Sequence, residues 1–81
     1  MITSVYEVYD IVKLVIKICQ ECGDNDISQQ LEHAMRGGST GLEIIGDIKG
    51  VFVTHMERLE NVIDKKKLED VIEFVDRAYG N

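Results

Sequence analysis

The chain has 81 residues, 44% hydrophobic and 30% charged, with seven glycines and neither proline nor tryptophan. That is the length of one domain, residues 1–81, and a chain this short buries only about 60% of its unfolded surface, which leaves no space for a large internal cofactor cavity. Fifteen acidic residues against nine basic ones give a formal net charge of −6, a sign that repels polyanions and argues against nucleic acid as a direct partner.

The first ten residues, Met1 to Asp10, hold no Lys or Arg, and the apolar run Leu14, Val15, Ile16 is closed off by Lys13 and Lys17. Both a signal peptide and a membrane span need a longer apolar stretch. A cytoplasmic protein with no membrane partner is expected, with Cys19 and Cys22 reduced.

Val5, Val8, Val12, Val15, Cys19 and Cys22 recur at spacings of three and four, the pattern of one helix face. Ser4 with Glu7 makes a capping box and Gly23 can end the helix in the left-handed conformation, so a first helix is expected over Val5–Cys22. Tyr9, Ile11, Ile16 and Ile18 flank its seam and widen the apolar arc to about half the circumference, which suits a central helix. Asp24, Asn25 and Asp26 form a polar turn, and Asp26 with Gln29 caps a short second helix, Ile27–Arg36, which Gly37 and Gly38 stop. Thr40 with Glu43 starts a third helix at Gly41; the stripe Ile45, Ile48, Phe52, Met56, Leu59 and Ile63 extends it to Ile63. Asp64 caps a fourth, Lys65–Tyr79, with Leu68, Val71, Ile72, Val75 and Tyr79 inward. The fold class is all-α: a four-helix bundle or an irregular four-helix array.

Cys19-Gln20-Glu21-Cys22 spells C-x-x-C, but it falls at the C-terminal end of its helix, where the dipole raises a thiol pKa, and both sulfurs are expected on the buried seam. Core packing is preferred over redox or metal work. His33 and His55 stand 22 positions apart, far from zinc-finger spacing. No metal ligand, catalytic residue or cofactor is assigned. The turn Gly37-Gly38-Ser39-Thr40-Gly41 could offer amides to an anion, yet no lysine follows and Glu43 brings its own negative charge. It reads as a tight connector.

Two surface patterns remain. Leu42, Gly46, Gly50 and Val53 share a strip roughly 60 to 140° away from the core stripe of the third helix. Two interior glycines cost about 1 kcal/mol each relative to alanine, so close packing of another helix is expected there, from this chain in preference to a second copy or a partner. Around the turn from the third helix into the fourth, Glu57, Glu60, Asp64, Glu69, Asp70, Glu73 and Asp76 place seven carboxylates within twenty positions, partly offset by Arg58, Lys65, Lys66 and Lys67. A solvated face is one reading; a docking edge for a basic protein is the other.

The stretch from Leu31 through Gly37-Gly38-Ser39-Thr40-Gly41 to Ile44 resembles a pattern in small bacterial proteins of unassigned function. As a small acidic all-helical domain, the chain is also similar to bacterial immunity proteins. That resemblance implies a non-enzymatic cytoplasmic protein that neutralises a basic toxin, here by covering its cationic groups with the acidic edge. The chain lacks the Asp-Ser-Pro-Ser-Gly and paired-tyrosine region of nuclease-colicin immunity proteins, so no residue role is carried over. The alternative is a homo-oligomeric structural or regulatory module, a homodimer meeting through the glycine strip or through exposed Leu14 and Tyr6; a redox or metal protein using Cys19 and Cys22 ranks last.

Overall fold

The computed structural model describes residues 1–80, and among them every regular element is helical. The chain folds as α1 Val5–Cys22, α2 Asn25–Gly37, α3 Gly41–Thr54, α4 Met56–Leu59 and α5 Lys65–Ala78. The all-α class read from the periodicity holds. Four of the five helices, α1, α2, α3 and α5, correspond to the four expected, but the third, expected to reach Ile63, ends at Thr54 and the chain resumes as the single turn α4.

The break has a packing reason. A continuous helix from Gly41 to Ile63 would be about 35 Å long, against a longest molecular dimension of 34 Å, and would carry its last two apolar residues past the core. Turning at His55 (φ −111°, ψ 22°) instead brings Leu59 to complete burial and Ile63 to near-complete burial. Arg58 then reaches back to the α1–α2 turn, donating to Asp24 Oδ1 at 2.6 Å and Asp26 Oδ1 at 3.1 Å.

The same contact shifts the start of α2. The Asp24 carboxylate is engaged by Arg58 and gives no side-chain cap, Asp26 lies inside the first turn, and the helix begins at Asn25, two residues earlier than Ile27. At α1, Ser4 Oγ accepts from the Tyr6 amide while Glu7 accepts from the Thr3 amide, and Gly23 ends the helix at φ 85°. Gly38 is needed for proximity: a Cβ there would crowd the Ile44 side chain and its backbone nitrogen.

The core joins Val8, Val12, Val15 and Cys19 of α1 to Ile27 and Leu31 of α2, Ile48 and Phe52 of α3, Leu59, and Leu68, Val71 and Val75 of α5. Each such aliphatic or aromatic side chain contributes about 1.5–3 kcal/mol by leaving water. Arg77 ties the C-terminal helix to the N-terminal segment by donating to the Ile2 carbonyl at 2.9 Å, with its guanidinium 5.8 Å from the Phe74 ring. Among the described residues no helix is long and apolar enough to cross a membrane.

Candidate functional site: an acid-lined concave face

Four of the seven carboxylates expected to form a docking edge are held by the chain's own cations. Glu60 pairs with Lys65, Asp70 with Lys66, Glu73 with Arg77 and Asp76 with Lys49. Asp64 is engaged as the cap of α5, accepting from the Lys66 amide at 3.0 Å. Glu57 and Glu69 have no cation within salt-bridge distance among the described residues. The edge is therefore less negative than its composition suggests, since each i,i+4 or cross-helix pair cancels most of its own field at the surface.

The glycine strip also departs from expectation, and in the opposite direction. No helix packs on it: Leu42 and Val53 are 46% and 54% exposed, and a Cβ on Gly50 would meet open space. Gly46 alone is covered, by the Tyr79 side chain, whose hydroxyl donates to the Leu42 carbonyl at 2.7 Å. The closely approaching element is one ring from the C-terminal end of the chain.

α3 lies between α2 on one flank and α5 on the other, and its outward face lacks side-chain bulk at Gly46 and Gly50. Where Gly46 and Gly50 remove side-chain bulk, a hollow of about 750 Å³ opens between α2 and α3, walled by Asp26, Gln29, Gln30 and His33 on one side and Asp47, Val51 and Thr54 on the other. A second hollow of about 400 Å³ lies between α3 and α5 and shares Gly46 and Asp47 with the first. A third, about 530 Å³, is lined by Met56, Glu69, Ile72, Glu73, Asp76 and Arg77, and shares Asp76 with the second. The three form one concave face in series. Its carboxylates are Asp26, Glu43, Asp47, Glu69, Glu73 and Asp76; Glu73 and Asp76 are held by the lining cations Arg77 and Lys49, Asp26 by Arg58, and Glu43 accepts from Ser39, which leaves Asp47 and Glu69 free of ion pairs among the described residues.

Three members of the expected edge, Glu69, Glu73 and Asp76, belong to this face; Glu57, Glu60, Asp64 and Asp70 do not line it. Asp47 and the α2 wall escaped the sequence reading, which followed carboxylate density along the chain, whereas Asp47 is an isolated acid brought beside Asp26 and Asp76 by folding. The signal available was its place next to the glycine strip.

The remaining candidates have structural surroundings. Cys19 is buried and its thiol is pushed up, first by burial and then by the nearby Asp24 carboxylate. Cys22 is exposed, so the expectation that both sulfurs are buried on the seam fails; helix rotation carries it to the flank. Among the described residues no three His, Cys, Asp or Glu are placed to share a metal ion. His55 Nε2 lies 3.1 Å from Gln30 Oε1, and His33 is an exposed wall residue. At the Gly37–Gly41 turn, Glu43 accepts from the Ser39 amide and hydroxyl, placing its own carboxylate where an anion would sit.

No protein-family model, curated protein or solved structure matches the chain.

Proposed function

We propose that the protein is a non-catalytic binding module that docks a cationic protein on the concave face formed by α2, α3 and α5, and that neutralising a basic toxin is the role this surface suits. The observation carrying the reading is the series of three adjoining hollows, in which Asp47 and Glu69 have no cation within salt-bridge distance among the described residues while Asp26, Glu73 and Asp76 are held by Arg58, Arg77 and Lys49. An incoming protein would place an apolar ridge against Gly50, Val51, Val53 and Leu42, with lysine or arginine reaching Asp47 and Glu69. Opposite potentials of this kind speed encounter and reject acidic competitors, while the desolvated centre holds the complex. Occlusion follows, because cationic groups a toxin uses to hold nucleic acid cannot face Asp47 and a phosphate together. The acidic edge at α4 and the start of α5 contributes less in this arrangement than its seven carboxylates suggested.

The test is capture of partners from the source cells with wild-type protein and with Asp47→Lys/Glu69→Lys, both exposed positions outside the chain's own ion pairs. The double variant should lose a basic partner that wild type retains, while Glu21→Lys on α1 should keep it. Identical partners for all three proteins would reject the concave face as the binding surface.

A further inference from the structure

A second surface lies on α1, away from the concave face. Ile11, Leu14 and Ile18 fall within about 60° of one another on the helix, roughly 95° from its buried stripe. Leu14 is 42% exposed and the two isoleucines are half-buried. One side of this strip is the body of the molecule. The other is a polar edge carrying Asp10 and Lys17, both exposed and neither within reach of an opposite charge among the described residues. Tyr6, also exposed, lies beyond that edge, packed edge-on to Tyr9 at 6.5 Å, and does not continue the strip.

The order of charges selects the occupant. Asp10 and Lys17 are seven residues apart, two helical turns, and so lie on nearly the same line along α1. When two copies of α1 pack antiparallel about a two-fold axis, their polar edges meet and their bodies lie side by side; a parallel pairing would set each polar edge against the other copy's body. With the axis beside Leu14, midway between positions 10 and 17, Asp10 of each copy stands opposite Lys17 of the other. The two Leu14 side chains meet at the centre, and Ile11 of each copy falls between Leu14 and Ile18 of its mate. Glu21 then lies near the first turn of the other α1, where the helix N-terminus favours negative charge but where Glu7, accepting from the Thr3 amide, is a like charge set against it. We infer that this strip is a self-association seam, taking a second copy of the chain in antiparallel register through Leu14 and two Asp10–Lys17 pairs. It uses a face separate from the proposed partner site, so either can fail without the other.

Sedimentation over a wide concentration range reads the seam. Wild type should pass from monomer to dimer with rising concentration, as a small isologous interface does. Leu14→Glu should stay monomeric at concentrations where wild type is dimeric. Asp10→Lys and Lys17→Asp should each dimerise at least about tenfold more weakly, because each places like charges opposite one another. Mixing those two variants, or combining them in one chain as D10K/K17D, should restore association. Circular dichroism checks that all variants retain wild-type helix content. A wild type that stays monomeric to millimolar concentration, single variants that dimerise like wild type, or a mixture that fails to recover would each overturn the antiparallel seam.

Discussion

The end of the molecule where α4 meets the α1–α2 turn and the outward face of α3 follow opposite rules. At the first, charge and apolar surface are consumed internally: Arg58 is shared by Asp24 and Asp26, and Leu59 is fully buried. At the second, Leu42 and Val53 stand in solvent, Gly50 faces empty space and Asp47 has no cation within salt-bridge distance among the described residues. A domain of this size has little stability to spare, so apolar groups and glycines left unused on a helix need a reason beyond folding. The contrast separates what holds the fold from what is available to a partner.

Adjacent residues of α3 sharpen it most. Phe52 is fully buried and Val53 exposed, so Phe52→Ala should cost about 3–5 kcal/mol, while Val53→Ala should stay within about 0.5 kcal/mol in denaturant unfolding. Comparable losses at both positions would mean that the outward face is packed after all. Next in size is the glycine pair. Gly50→Ala should stabilise by up to about 1 kcal/mol, because its Cβ enters open space in a helix interior. Gly46→Ala should show no such gain: the new methyl runs into the Tyr79 hydroxyl and displaces a hydrogen bond worth about 0.5–1.5 kcal/mol. Thermal melts of the two variants should differ in sign or nearly so, and equal gains would place Tyr79 elsewhere.

Much of this was legible in the sequence. The boundaries of α1 followed from Ser4, Glu7 and Gly23, and the buried Leu68, Val71 and Val75 of α5 from spacing alone, because local caps and a narrow apolar stripe are properties of the segment itself; Tyr79, expected inward, lies past the helix end and is half exposed. The end of α3 was not legible. Ile45 to Ile63 keep an unbroken helical period, and the turn at His55 depends on where the rest of the core lies to receive Leu59 and Ile63. The site was half visible for a related reason: Glu69, Glu73 and Asp76 lie in a dense acidic run, but Asp47 joins Asp26 and Asp76 only through folding. The pairing of Glu60, Asp70, Glu73 and Asp76 with lysines and arginines likewise depends on side-chain reach.

The smallest expected effect tests the consumed end. Arg58 holds the Asp26 carboxylate below its usual range, chiefly through their hydrogen bond, and the two aspartates hold the guanidinium above its own. A carboxylate depressed by folding stabilises above its unfolded pKa, about 3.9, and loses that contribution as pH falls through its lower folded value. Arg58→Ala should therefore melt earlier at neutral pH and show a shallower loss of stability between about pH 5 and acid than wild type. Parallel pH profiles would show that the clamp is not formed in solution.

The central claim is that the concave face, not the denser acidic edge, receives a cationic protein. Backbone amide NMR of the protein titrated with its captured basic partner tests it most directly. The account predicts shifts concentrated at Gln30, His33, Asp47, Gly50 and Val53, with Glu57, Glu60 and Asp64 little changed. Shifts confined to Glu57–Asp64 and the first turn of α5, with Asp47 and Gly50 unmoved, would contradict it.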